Sequence, residues 1–154
     1  MTSLGRLAVL VVATITVGWC AAAGGPAIAL SGPCTIFGSP GPDVLTGTPA
    51  NDVICPGGGN DTVYGKGGRD LVFGGSGNDL IFGDDGDDDL RGGPGGDRIF
   101  GGPGADRLDG GDGADRMYGN GGRDAFFGGP GVDVCEGGPD VDTAQSCESR
   151  PGVP

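Results

Sequence analysis

Residues 74–82 read GGSGNDLIF, and this nine-residue pattern returns along most of the chain. Residues 65–73 read GKGGRDLVF, and residues 92–100 read GGPGGDRIF. Two columns keep the nine-residue interval without slippage over twelve units. The sixth position is always an aspartate: Asp43, Asp52, Asp61, Asp70, Asp79, Asp88, Asp97, Asp106, Asp115, Asp124, Asp133 and Asp142. The eighth position is always apolar: Leu45, Ile54, Val63, Val72, Ile81, Leu90, Ile99, Leu108, Met117, Phe126, Cys135 and Ala144.

A fixed period of this kind indicates a repeat architecture. The 38 glycines and 12 prolines among 154 residues would otherwise suggest a disordered chain. Glycines at the first and fourth positions allow a tight six-residue loop, and the side chains of the three residues after each aspartate should point out, in and out, as in a short strand. We therefore predict an all-β fold, a parallel β-roll (a two-sheet right-handed β-solenoid) of about twelve units and six coils over residues 38–145. Odd units would form one sheet and even units the other.

The unit GGxGxDxUx closely resembles the RTX, or haemolysin-type, calcium-binding nonapeptide repeat family over residues 38–145. The resemblance implies that calcium ions bind in the turns between consecutive coils. Two sixth-position aspartates eighteen residues apart would hold each ion, so all twelve aspartates are implied ligands, and five gaps on each edge allow at most about ten ions. Loop carbonyls would complete the sites, near Gly74, Gly77, Gly92, Gly95, Gly101, Gly104, Gly110 and Gly113.

Electrostatics independently favours calcium. Carboxylates stacked at the strand spacing of ~4.8 Å repel each other by about 1 kcal/mol in water and more in a low dielectric. Calcium accepts six to eight oxygen ligands, whereas zinc prefers histidine or thiolate and the chain has no histidine. The alternative is a solvated ladder of aspartates without metal. The net charge of −12 argues against nucleic acid or an anionic membrane as a partner.

The N-terminus predicts a secretory signal peptide over residues 1–29. Arg6 precedes an apolar run, and residues 27–29 read AIA, a small-x-small cleavage site. Residues 21–23, which read AAA, are an alternative site. A retained membrane anchor is the alternative. The mature chain is expected to be extracellular and to have no membrane partner, with an N-terminal lead and cap at residues 30–37 and a C-terminal cap and tail at residues 146–154.

Cleavage of the signal would remove Cys20 and leave four cysteines, an even number that suggests two disulfides in an exported chain. Three pairings are open to four cysteines. We favour Cys34 with Cys55 and Cys135 with Cys147, because each pair brackets one end of the repeat. Free buried thiols are the alternative.

Four aromatic residues recur at the ninth position of odd units, eighteen residues apart: Tyr64, Phe82, Phe100 and Tyr118. Stacked rings can stabilise neighbouring strands, or an exposed row can form a contact face for a protein or glycan. We expect Arg98 and Arg116 to cover the rings by cation–π contacts. In the acidic loop at residues 84–89, only Asp88 is in the ligand register, and the others are expected to form a surface patch.

These features predict a secreted calcium-binding repeat protein that folds when several calcium ions bind. The alternative is an adhesion or surface-interaction module that uses the aromatic face. No enzymatic activity is expected, because the chain has no histidine and little sequence outside the repeat.

Overall fold

A computed structural model describes residues 34–149. The predicted signal peptide, residues 30–33 of the lead and residues 150–154 of the tail lie outside the described part. No helix in the described part is long and apolar enough to cross a membrane.

Residues 34–149 form sixteen short strands and no helix. The strands are β1 (Ile36–Phe37), β2 (Val44–Thr46), β3 (Val53–Cys55), β4 (Gly57–Gly58), β5 (Thr62–Tyr64), β6 (Leu71–Phe73), β7 (Gly75–Ser76), β8 (Leu80–Phe82), β9 (Asp89–Arg91), β10 (Arg98–Pro103), β11 (Arg107–Asp109), β12 (Arg116–Gly121), β13 (Ala125–Phe127), β14 (Val134–Glu136), β15 (Thr143–Gln145) and β16 (Glu148–Ser149).

Two seven-stranded parallel sheets make up the fold. One has the order β1-β3-β6-β9-β11-β13-β15, and the other β16-β14-β12-β10-β8-β5-β2. Strands pair with the strand two units later, so that Ile81 aligns with Ile99 and Ile99 with Met117. Even and odd units therefore occupy separate sheets, and the predicted parallel β-roll of about six coils is confirmed.

The lead and the tail each add one strand to the roll. Ile36 of β1 pairs with Ile54 at the regular eighteen-residue distance. At the other end, Val134 aligns with Glu148, only fourteen residues later. The last coil is therefore shorter than the others, although the tail has no repeat pattern.

Some loop residues also pair between coils, which the predicted three-residue strands did not include. In β10 and β12, Gly102 aligns with Asn120 and Pro103 with Gly121, and β4 pairs with β7 as a separate two-stranded sheet. Because all repeat coils have the same length, their loop backbones lie in register and can hydrogen-bond to one another.

The eighth-position column forms the core, as predicted. Its ten members from Ile54 to Cys135 are at most 1 % exposed, while Leu45 and Ala144 at the ends are only partly buried. The flanking residues of most strands are half-exposed; Leu80 and Phe82 on either side of buried Ile81 are an example. The short strands thus bury one apolar side chain each.

Both predicted disulfides are present. Cys34 bonds to Cys55 with their Cα atoms 6.1 Å apart, and Cys135 bonds to Cys147 at 5.9 Å. The first bond joins the lead to β3, and the second joins β14 to the segment before β16. Each end of the roll therefore has a covalent staple.

The fourth-position glycines sit against the backbone of the preceding coil. Gly113 has φ +149°, and a Cβ there would lie 1.5 Å from the Gly95 carbonyl oxygen. In Gly121, by contrast, a Cβ would meet no atom within 4 Å. Only glycine therefore fits at position 113, while position 121 accepts a methyl group.

We expect Gly113→Ala to lower the unfolding free energy by about 2–5 kcal/mol, because overpacking costs about 1–3 kcal/mol and the left-handed backbone about 1–2 kcal/mol. Gly121→Ala is the matched control and should change it by less than about 0.5 kcal/mol. Denaturant unfolding in excess calcium measures both, and equal effects would contradict the close packing of coils.

Candidate metal centre

The sixth-position aspartates stand immediately before the strands, with their side chains turned inward. Asp43 in the first unit is half-buried, and the other eleven are at most 8 % exposed. Buried carboxylates are rare unless they are paired or bind a metal. The two edges of the roll therefore each contain a buried row of acids.

One carboxylate oxygen of each aspartate links successive coils. The Asp79 amide donates to Oδ1 of Asp97 at 2.8 Å, and the Asp97 amide donates to Oδ1 of Asp115 at 2.8 Å. The same bond, at 2.8–2.9 Å, crosses all ten gaps between aspartates eighteen residues apart. These bonds hold the carboxylates in register.

The second oxygen, Oδ2, is buried without a hydrogen-bond partner in ten aspartates: Asp61, Asp70, Asp79, Asp88, Asp97, Asp106, Asp115, Asp124, Asp133 and Asp142. A buried charged oxygen without a partner is costly, by more than the 1–3 kcal/mol of a neutral group. Ten such atoms in one small fold are far more than native structures usually tolerate. The arrangement fits bound cations beside these oxygens.

In most units the free Oδ2 lies beside a carbonyl oxygen of the following coil. At Gly92, a Cβ would lie 2.2 Å from Oδ2 of Asp97 and 2.6 Å from the Gly110 carbonyl oxygen. A carboxylate and a carbonyl thus converge on the glycine Cα, an arrangement that we call the cradle. It recurs at the first-position glycines Gly65, Gly74, Gly83, Gly101, Gly110 and Gly119.

The predicted glycine carbonyls divide into two groups. Those of Gly92, Gly101 and Gly110 lie in cradles. Gly74 is instead the glycine next to which Oδ2 of Asp79 and the Gly92 carbonyl converge. The fourth-position carbonyls face the fourth-position glycine of the next coil instead; this group comprises Gly77, Gly95, Gly104 and Gly113.

The first two units satisfy their carboxylates without a cation. Oδ2 of Asp52 accepts the Thr48 amide at 2.7 Å and the Thr48 hydroxyl at 2.8 Å. Oδ2 of Asp43 accepts the Ser39 amide at 2.5 Å and its hydroxyl at 2.9 Å. Asp43 and Asp52 were included among the predicted ligands, yet their Oδ2 atoms already have two donors each.

Burial raises the pKa of the central aspartates. The pKa of Asp97 and Asp106 rises to about 7 and that of Asp88 and Asp115 to about 6, mainly because burial disfavours the charged form. Neighbouring carboxylates raise these pKa values further, and the inter-coil amide bond opposes the shift. The pKa is also raised at Asp61, Asp70, Asp79 and Asp124. A cation would favour the ionised form at these sites.

The acidic loop is more structured than the predicted surface patch. Asp84 accepts the Lys66 amide at 3.2 Å, and Asp87 accepts the Ala105 amide at 2.9 Å. Asp89 pairs with two arginines of its own sheet, and hydrogen bonds and charge from these arginines outweigh burial and lower its pKa. Among the aspartates of the loop, Asp85 and Asp87 are exposed, while Asp84 and Asp89 are half-buried and Asp88 is buried.

The aromatic row is a continuous stack, with ring centroids 5.1, 5.0 and 4.8 Å apart and interplanar angles of 3–14°. The predicted cover by Arg98 and Arg116 is wrong. Among described residues, the cations over rings are Lys66 on Tyr64, Arg91 on Phe73 and Arg107 on Phe127. Two of these contacts lie on the opposite sheet, where the arginines also form ion pairs with aspartates of their own or of a neighbouring strand.

Within residues 34–149, no three aspartate, glutamate, cysteine or histidine side chains converge as a metal cluster. A cation in a gap would therefore need backbone oxygens as well as the two carboxylates. The cradle supplies such a carbonyl. This all-oxygen donor set of mixed carboxylate and carbonyl suits calcium, which accepts irregular geometry, better than magnesium or zinc.

A family model described as the RTX calcium-binding nonapeptide repeat matches residues 35–63, 56–90, 64–99, 91–126 and 109–144. Together these ranges cover residues 35–144, well over half of the chain. No curated protein and no solved structure matches the chain.

Proposed function

The chain belongs to the RTX calcium-binding nonapeptide repeat family, and on that premise we propose that it is a secreted protein whose repeat folds as several calcium ions bind. The ten buried Oδ2 atoms without a hydrogen-bond partner carry the proposal. The two disulfides support an extracellular location, since such bonds persist in oxidising compartments.

Each ion would be held between two coils on one edge. In a central gap the ligands are Oδ2 of Asp79, the carboxylate of Asp97 and the carbonyl of Gly92. Calcium supplies the positive charge that these buried carboxylates otherwise lack. Its binding free energy then contributes directly to folding.

The structure favours eight ions within the repeat rather than ten. The gaps that begin at Asp43 and Asp52 take none, because Ser39 and Thr48 already satisfy those oxygens. The remaining eight gaps begin at Asp61, Asp70, Asp79, Asp88, Asp97, Asp106, Asp115 and Asp124.

Circular dichroism of the full chain tests the proposal. In chelator we expect a disordered spectrum, because ten uncompensated buried carboxylates oppose folding. Millimolar calcium should produce a β-rich spectrum, and the same concentration of magnesium serves as the control. Identical spectra with and without calcium would refute calcium-dependent folding.

Substitutions on one edge test which gaps hold an ion. We expect Asp70→Asn to lose at least one bound calcium in native mass spectrometry, because Oδ2 of Asp70 has no other partner. Asp52→Asn is the matched control and should keep the wild-type number, since Thr48 donates to Oδ2 of Asp52. Loss of an ion in Asp52→Asn would show that the first gap also binds calcium.

An adhesion module remains the second candidate function, favoured by a groove of about 420 Å³ beside the aromatic row. Phe82 and Phe100 line it, together with Lys66, Asp84 and Asn120. The rings stack face to face, so a protein or glycan in this groove would meet ring edges rather than open ring faces.

A pull-down separates the two functions. The wild-type chain is compared with a variant in which Tyr64, Phe82, Phe100 and Tyr118 are changed to serine, and with Phe73→Ser and Phe127→Ser on the opposite sheet as controls. A contact face predicts that only the first variant loses its partner. Equal capture by all forms excludes the aromatic row as an adhesive surface.

A further inference from the structure

The carboxylate row of the odd edge continues beyond the last repeat unit. In each repeat gap, an aspartate amide donates to the carboxylate eighteen residues later. After Asp133, the carboxylate of Glu148 accepts the Asp133 amide instead. The Glu148 amide in turn donates to the Asp133 carbonyl at 2.7 Å, just as the Val134 amide donates to the Asp115 carbonyl at 2.9 Å. Glu148 therefore aligns with Val134, but its carboxylate takes the place that the carboxylate of the next aspartate would occupy.

Ser146 supplies the matching carbonyl. A Cβ on Gly128 would lie 1.9 Å from the Ser146 carbonyl oxygen and 2.7 Å from Oδ2 of Asp133. The Gly128 amide donates to the Gln145 carbonyl at 2.9 Å, as first-position glycines do in the repeat. The cradle is thus completed at the cap by a carbonyl from outside the repeat.

Oδ2 of Asp133 is buried and has no hydrogen-bond partner, and Asp133 is 0 % exposed. From these contacts we propose a ninth calcium site, formed by Asp133, the carboxylate of Glu148 and the carbonyl of Ser146. The inference rests on the proposed calcium-dependent function. The Cys135–Cys147 disulfide lies between these ligands in the chain and ties the segment that carries Ser146 and Glu148 to β14.

The same geometry is not repeated at the other edge. Oδ2 of Asp142 is also buried without a partner, but no carbonyl of a following coil is among the nearest contacts of a Cβ on Gly137. The two ends of the roll therefore differ. At the N-terminal end, Ser39 and Thr48 satisfy the aspartate carboxylates by hydrogen bonds. At the C-terminal end, calcium satisfies the last carboxylate of the odd edge.

Native mass spectrometry of the full chain with its disulfides intact tests the ninth site. We expect Glu148→Gln to bind one calcium fewer than the wild type at saturation, because glutamine can still accept the Asp133 amide but carries no charge. Asp112→Asn removes the same charge at an exposed residue and should leave the ion count unchanged.

The outcomes separate the two proposals. An unchanged count in Glu148→Gln overturns the ninth site while calcium-dependent folding stands, whereas a wild-type chain that binds no calcium overturns the proposed function itself. If Glu148→Gln loses every ion, the variant does not fold, and hydrogen exchange of the wild type then tests the ninth site. The amides of Asp133 and Glu148 should gain protection with calcium, and exchange that calcium does not slow would refute the site.

Discussion

Changing Asp79 and Asp97 together to asparagine should raise the calcium concentration at the midpoint of folding at least tenfold. The two carboxylates border three consecutive gaps on the odd edge, between Asp61 and Asp115. Each gap would lose at least one charged ligand, and a hydrogen bond or contact to a charged group is worth about 1.5–3 kcal/mol. A tenfold change corresponds to about 1.4 kcal/mol, so the loss at one gap is enough to reach it.

Asparagine keeps the stacking bonds, since its Oδ1 can still accept the amide of the preceding coil. The double variant therefore changes charge with little change in shape. Because each coil contacts only its neighbours, we also expect the calcium titration to lose cooperativity when the centre of the stack is weakened. Circular dichroism against calcium concentration measures both the midpoint and the steepness.

The matched control is Asp85→Asn. Asp85 belongs to the same acidic region but is exposed and outside the ligand register, so its midpoint should equal that of the wild type. If Asp85→Asn and the double variant shift the midpoint equally, the effect depends on net charge rather than on the gaps.

The strict period explains why the fold could be predicted from the sequence. An unbroken nine-residue spacing fixes which side chain of each strand is buried and which strands become neighbours, so the core from Ile54 to Cys135 and the two sheets followed directly. The disulfide pairing followed from the position of the cysteines at the ends of the period.

The parts that the sequence did not predict are those where the period fails. Ser39 and Thr48 lie four residues before Asp43 and Asp52, and a hydroxyl at this spacing can bond to the aspartate locally. Among the twelve units, only the first two carry a hydroxyl at the second position, which is the signal that could have identified them.

Glu148 was missed for a different reason. Its carboxylate reaches the position of a sixth-position aspartate only because the last coil is fourteen rather than eighteen residues long. A glutamate side chain is also one methylene longer than aspartate. Neither feature is visible in the spacing of the repeat, because Glu148 lies beyond its last unit.

Acidification should weaken calcium binding to the already folded chain, and the midpoint of that binding should rise about tenfold per pH unit below about 7 for a site limited by one carboxyl group. Calcium binds the deprotonated carboxylate, while burial holds the pKa of Asp97 and Asp106 at about 7 and that of Asp88 and Asp115 at about 6. Protons and calcium therefore compete over the range from pH 7 to 5.

The calcium-free chain should respond to pH in the opposite direction. Since the folded state has the raised pKa values, it binds more protons than the unfolded state between about pH 4 and 7. Protonation thus stabilises the calcium-free fold at acid pH, and this stabilisation is lost as the pH rises through about 7. In chelator, we expect more β structure at pH 5 than at pH 8.

Calcium titrations at pH 8, 7, 6 and 5 measure the competition as the slope of the logarithm of the midpoint against pH. Asp97→Asn removes one of the carboxyl groups with a pKa of about 7 and should flatten the slope, while Asp85→Asn should leave it unchanged. Over the acid range in which the calcium-free chain is already folded, a midpoint independent of pH would mean that the buried carboxylates are not the calcium ligands, because every ligand with a raised pKa must release its proton before the ion binds.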